Sequence, residues 1–364
     1  MKNKLICFFA AAMLAAAAPT ALAACAGDDD VIRINEVTHS VFYAPLYLAD
    51  GLGYFEEEGI EIELTNGGGA DATMAAVLSG GADIGFCGPE AAIYVAIGGS
   101  NDLPMVFGQL TKRDGSFLVG REAQPDFEWS DLQGKEILAG RKGGVPAMTF
   151  EYALKEQGVT ATLNYDVAFN MMTAAFEGGV ADYCTMFEPV ASQYEAEGKG
   201  YIVASVGQQS GEVPYTCFMA KSSYIEANPD KIEGLLRAVT RAIKYVNETP
   251  SDVAASKLAP YFDGTSVQAL QISLDSYKAI DAWTEDMAMK ESAFTRLQDI
   301  IESAGELERR VDFDELVLTD AAVQDRLVSQ VQQTLRRRGA RQDGKETVSP
   351  SGSCPARCAA AVDR

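Results

Sequence analysis

The strongest constraint on this chain is a pattern that occurs twice. From residue 31 to about 206, short apolar β-rich runs alternate with helical patterns, and the order restarts after Trp129. In the first pass, 31–37, 60–64 and 82–86 read as strands and 43–52, 71–79 and 89–97 as helices. In the second, 135–139, 162–169 and 182–186 read as strands and 147–157, 171–177 and 189–197 as helices. Residues 74–83 and 173–182, 99 positions apart, are identical at five of ten places. Each is followed by a proline, Pro89 or Pro189, suited to a first helical turn where a missing N–H leaves no bond unmade. Chance similarity in Ala/Gly-rich sequence is the alternative to two lobes of one plan. The alternation predicts an α/β fold in which each lobe is a mainly parallel sheet with helices on both faces.

The runs 105–111, 116–120 and 215–221 are extended and fall where a chain would cross between lobes and return. Beyond Tyr224 the pattern is helical, at 229–248, 251–258, 266–283 and 294–303, and is expected to cap the first lobe. The boundaries expected are 31–110 for lobe I, 111–216 for lobe II and 217–335 for the return to lobe I with its C-terminal helices.

The two ends read as something other than fold. Lys2 and Lys4 precede an apolar run, 5–18, ending at Pro19, which is a signal-peptide pattern for residues 1–24. Leu22-Ala23-Ala24-Cys25 then reads as a lipobox with Cys25 as the lipid attachment site, and 25–30, with Asp28 to Asp30, as a polar tether. Ordinary secretory cleavage after Ala23 is the competing reading. Residues 336–364 carry seven basic and three acidic groups and almost no bulky apolar ones, so a disordered basic tail is expected, either genuine or a gene-boundary artefact.

Composition narrows function by exclusion. The chain has 52 Asp+Glu against 30 Lys+Arg. Once the signal and tail are set aside, residues 25–335 hold 49 acidic and 21 basic groups, a net of −28, so the acidity belongs to the body. Such a surface repels phosphate, and a nucleic-acid partner is not expected. One histidine forbids a multi-His metal centre, and no P-loop, dinucleotide fingerprint or Gly-x-Ser-x-Gly elbow is present. Cys87, Cys184 and Cys217 are too far apart in sequence for a Cys-x-x-Cys pair and read as small buried hydrophobes. No cofactor, metal or catalytic group is expected.

In parallel α/β sheets, ligands bind beyond the carboxyl ends of the strands, where loops enter helix N-termini. In lobe I those loops hold His39, Phe42, Tyr43, Asn66 and Glu90; in lobe II they hold Arg141, Lys142, Phe169, Asn170 and Glu188, with Tyr215 at the return crossing. Aromatic faces with a few hydrogen-bonding groups suit a planar polar ligand. Each residue has a plainer alternative: aromatics packing in their own lobe, a first-turn glutamate answering the helix dipole, solvated Arg and Lys, a satisfied loop histidine.

Three motifs carry a resemblance. Phe42-Tyr43-Ala44-Pro45-Leu46-Tyr47-Leu48-Ala49, Gly53-Tyr54-Phe55-Glu56-Glu57-Glu58-Gly59-Ile60 and Gly80-Gly81-Ala82-Asp83-Ile84-Gly85 resemble the solute receptors of ABC importers, in the sulfonate, nitrate and thiamine-pyrimidine-precursor branch. The resemblance spans about 31–327 and implies a two-lobe periplasmic-binding-protein fold of type II with a C-terminal helical cap. It also implies a monomer outside the cytoplasm that closes on a small-molecule ligand and meets ABC permease subunits, here held to the membrane by a lipid anchor. An enzyme branch of the same fold, the pyrimidine synthases, has a histidine where Tyr43 stands and a cysteine cluster where only Cys217 stands, so an enzyme is not expected. Two glutamates and several aromatics favour an uncharged or cationic heterocycle, such as a thiamine-related pyrimidine or a flavin. An oxyanion-bearing molecule is the alternative ligand, and a sensor partner the alternative to a permease.

Overall fold

The computed structural model describes residues 31–318, so the expected signal peptide, Cys25 lipid site, tether and basic tail lie outside the described residues. Ten strands form two five-stranded sheets. Sheet I contains β1 (Val31–Glu36), β2 (Glu61–Asn66), β3 (Ile84–Cys87), β4 (Pro104–Thr111) and β10 (Thr216–Lys221), in the order β2-β1-β3-β10-β4. Sheet II contains β5 (Ser116–Gly120), β6 (Glu136–Leu138), β7 (Thr162–Leu163), β8 (Tyr183–Phe187) and β9 (Tyr201–Ser205), in the order β7-β6-β8-β5-β9.

Each sheet has one reversed strand, and it is the strand by which the chain arrives from the other sheet. β10 is antiparallel to both β3 and β4, and β5 to both β8 and β9, while the remaining strands of each sheet run one way. Helices follow β1, β2 and β3 in sheet I and β6, β7 and β8 in sheet II, as crossovers between parallel strands require. Burial largely agrees with sequence: β3 is a continuous apolar run and wholly buried, β4 is wholly buried with Gln109 and Thr111 among its apolar residues, and β2, at an edge, has no buried residue.

The crossings lie side by side. Val213 N donates to Lys112 O (2.9 Å), Tyr215 N to Thr111 O (3.1 Å), and Lys112 N to Ala282 O (2.9 Å), so a C-terminal segment joins them. The helix Val206–Ser210 sits under this junction so closely that a Cβ on Gly207 would stand 2.1 Å from Asp114 O. Gly207→Ala is therefore expected to lower stability by about 2–3 kcal/mol, as overpacking against backbone does; urea unfolding reads the loss, and an unchanged midpoint would refute the contact.

One expectation needs correction and another is exceeded. The run 162–169 is not one strand: only Thr162–Leu163 pairs, because Asn164 Nδ2 donates to Glu136 Oε1 (2.8 Å) while its Oδ1 accepts Asp166 N (3.0 Å), turning the chain. Phe169–Met171 then forms a 3₁₀ turn. The C-terminal helices also do more than cap lobe I. Pro229–Glu248 and Ser251–Leu258 pack on Ala44–Gly51, but Val267–Ala279 and Glu291–Ser303 reach sheet II's helices. There Tyr277 Oη accepts Glu188 N (3.0 Å), Arg296 Nη2 donates to Ser210 O (2.7 Å), and Lys155 Nζ to Ser303 Oγ (2.9 Å). The strand β9 and the helix Val206–Ser210 had no counterpart among the expected elements. The three central cysteines are free and buried, as expected.

Candidate functional site

The loops at the carboxyl ends of β1, β2 and β3 face those of β6, β7 and β8 across a cavity of about 320 Å³. Reversed β10 brings its starting residues, Tyr215 and Thr216, to the same edge. Six of the expected site residues line it: Tyr43, Glu90, Arg141, Phe169, Asn170 and Tyr215. Asp71 and Thr216, which the sequence reading passed over, join them, together with Phe187 and bare backbone at Gly68, Gly69, Gly88 and Gly144.

The aromatic walls come from both lobes. Tyr43 packs edge-on against Phe86 (4.6 Å between centroids), and its hydroxyl accepts from Thr216 Oγ1 at 3.4 Å. Phe169 stands edge-to-face with Phe187 (6.2 Å), which in turn lies 6.4 Å from Tyr215. Burial raises the Tyr43 and Tyr215 hydroxyls above the ordinary phenol range, so both are neutral.

Polar groups close the cleft from opposite sides. Arg141 Nη1 pairs with Asp71 Oδ2 at 2.8 Å, which holds the Asp71 carboxyl below its usual range, and Tyr94 Oη donates to Gly143 O at 3.0 Å. Both partners of the ion pair are exposed, so it contributes under about 1 kcal/mol. Glu90 differs. It opens the helix Glu90–Ile97, is 3% exposed, and places Oε1 3.5 Å from Val145 N in the facing lobe. Burial pushes its carboxyl up to about 7 against the opposing backbone N–H groups.

The other five expected residues do not line this cavity. Phe42 is fully buried behind the wall. Asn66 Oδ1 accepts Gly68 N (2.9 Å), shaping the glycine turn, and Lys142 is exposed and pairs with Glu306 (3.3 Å). Glu188 caps its own helix: Oε1 accepts Ser192 Oγ (2.6 Å) and Oε2 accepts Ser192 N (3.0 Å). His39 is clamped, with Nδ1 on Glu36 Oε1 and Nε2 on Tyr261 O, both at 2.8 Å, and its ring between Tyr47 and Phe262. A carbonyl and a carboxylate both accept, so this geometry favours the imidazolium, in which both ring nitrogens donate.

The Glu36 hydrogen bond raises the His39 pKa above its ordinary value despite burial. A raised folded-state pKa gives stability that is complete below the unfolded value, near 6.5, and is lost as pH rises through the folded value. Thermal midpoints are expected to fall across that alkaline-going window in the wild type and to be flatter in His39→Gln; parallel curves would refute this.

Comparison with known proteins agrees with this architecture. Residues 41–253 match the family model described as NMT1/THI5 like. YtlA of Bacillus subtilis (strain 168), described as a candidate binding protein, is 39% identical over 308 residues, covering 83% of this chain and 92% of that protein. The 4-amino-5-hydroxymethyl-2-methylpyrimidine phosphate synthase of Aspergillus parasiticus is 27% identical over 228 residues, 58% of this chain and 64% of the synthase. Among solved structures, the alkanesulfonate-binding protein SsuA from Xanthomonas axonopodis pv. citri, bound to MOPS, superposes with a TM-score of 0.64 at 17% identity, covering 80% of this chain and 99% of SsuA. That likeness shows a shared fold, the two-lobe fold of periplasmic binding proteins. By the family model and the YtlA match, this chain belongs to the NMT1/THI5-like family.

Proposed function

We propose that this protein is the extracytoplasmic solute-binding component of an ABC importer, held to the membrane through Cys25, and that it captures a flat N-heterocycle by closing its lobes and delivers it to the permease. The observation that carries the ligand reading is the cavity itself. Aromatic rings from both lobes enclose it, and among the described residues one of its walls holds a buried carboxyl oxygen with no hydrogen-bond partner. Rings of that kind offer faces to a planar ligand, and the carboxyl accepts from an N–H at its edge. Contacts from both lobes to one ligand favour the closed arrangement.

The second reading is an oxyanion receptor, which the fold of the alkanesulfonate-binding protein supports. Glu90 weighs against it, because an anion there meets repulsion once the acid ionises and finds a donor only in the protonated acid. A synthase reading draws on the Aspergillus relative; Tyr43 in the place of that branch's histidine weighs against it.

A thermal-shift screen separates these. A pyrimidine or flavin at 100 times its Kd stabilises the folded chain by about 2.7 kcal/mol, and its binding is expected to reduce the solution scattering radius. Stabilisation by an alkanesulfonate and by none of the heterocycles would reverse the ligand assignment.

A further inference from the structure

Among the described residues, two that line the cavity have a buried side-chain oxygen outside the hydrogen-bond network: Glu90 Oε2, and Tyr215 Oη, which has the Asp114 carboxyl beside it. The acid is the more demanding of the two, since an unpaired buried carboxyl is expensive and native structures pair nearly all such groups. Its two oxygens face different tasks. Oε1 is turned toward Val145 N, the first N–H of the helix Val145–Glu156, which has no partner within its own helix. Oε2 is left over. The carboxyl occupies this position only because the preceding loop has no side chain at Gly88, where a Cβ would stand 2.0 Å from Oε2. The loop Cys87-Gly88-Pro89 thus folds the first side chain of the helix Glu90–Ile97 back into the cleft rather than out toward solvent.

We propose that Glu90 is the specificity-determining residue of the cleft: Oε2 accepts an N–H from a neutral or cationic nitrogen on a flat ring, while Oε1 accepts the Val145 N–H from the facing lobe, so one carboxyl reads both ligand and closure. This rests on the heterocycle reading above and adds the edge chemistry the ligand must carry. A ring without an N–H offers Oε2 no donor. A ring with one completes the carboxyl and gains a hydrogen bond to a charged or shared-proton acceptor, the stronger kind. Gly88 acts through Glu90 and is a positioning residue.

The test compares 4-amino-2-methylpyrimidine with 2,4-dimethylpyrimidine, which differ by an amine for a methyl at nearly constant shape, and with ethanesulfonate. Dissociation constants are measured by NMR titration on wild type, Glu90→Gln and Gly88→Ala, alongside ligand-free melting temperatures. Wild type is expected to prefer the amine at least 10-fold. Glu90→Gln is expected to hold the two rings within about 2-fold, because its amide must either present NH₂ to the ligand or give up Val145. Its ligand-free melting temperature is expected to match or exceed wild type, since a buried ionisable group has gone. Gly88→Ala is expected to lose the preference with the Glu90 side chain intact. Retention of a 10-fold preference in Glu90→Gln would overturn this proposal alone. So would a lower ligand-free melting temperature with equal loss for both rings, the signature of a structural role. Binding of ethanesulfonate and neither ring, or of no probe at all, would overturn the heterocycle reading and this proposal with it.

Discussion

Phe42→Ala is expected to lower stability by about 3–5 kcal/mol, the range for removing a buried phenylalanine that its surroundings cannot replace. The ring has no exposed surface and lies within 4.9–6.0 Å of four others, those of Tyr43, Phe187, Tyr215 and Tyr277. These come from the first lobe, the second lobe, the return crossing and a C-terminal helix, so the hole would open where all four meet. Collapse is hindered because the neighbours are pinned: Tyr277 Oη accepts Glu188 N, and Trp283 Nε1 donates to Phe42 O at 2.8 Å. The backbone bond survives truncation, which isolates the ring as the cause. Urea unfolding measures the loss, and Phe42→Leu is expected to recover more than half of it. A loss below 1 kcal/mol would mean that the cluster closes over the gap and is not the rigid junction described here.

Phe42 also marks where sequence reading reaches its limit. The strand and helix pattern was legible because each half of the duplicated plan carries the two signals that matter locally, continuous apolar runs for buried parallel strands and helical spacing between them. The helices Pro229–Glu248 and Ser251–Leu258 fall at their expected bounds because a proline opens the first and another separates the two. The loops of the site were legible for a topological reason, since strand carboxyl ends face the cleft whatever their sequence. Side-chain direction was not. Glu90 and Glu188 look equivalent in sequence, each beside a proline after a strand, yet Glu90 follows its proline and enters the cleft while Glu188 precedes its own and bonds Ser192 four residues on. Two residues of offset relative to the helix start decide between cleft and cap. His39 was ambiguous for another reason. Tyr261, its partner, lies 222 positions away, and no local pattern reports such a contact.

Phe187→Ala is expected to weaken binding of the tightest heterocycle from the thermal-shift screen by 10- to 100-fold. This corresponds to one lost stacking face at about 1–3 kcal/mol. Phe187 ends β8, registered opposite Ser116 on β5, and is only partly buried because its ring lines the cavity. It also holds the wall together, lying 6.2 Å from Phe169, 6.0 Å from Phe42 and 6.4 Å from Tyr215. Truncation removes one face of the ligand's slot and frees Phe169 to turn, so the affinity loss should exceed the loss from area alone. Stability should fall less than in Phe42→Ala, since part of the ring is already exposed in the cavity. Phe187→Leu separates the contributions. Volume is nearly kept and the π face is lost, so a weakening close to that of alanine assigns the effect to stacking, and recovery to wild type assigns it to packing of the wall. An unchanged Kd in both variants would place the ligand elsewhere in the cleft and leave Tyr43 and Tyr215, on the facing side, as the aromatic platform.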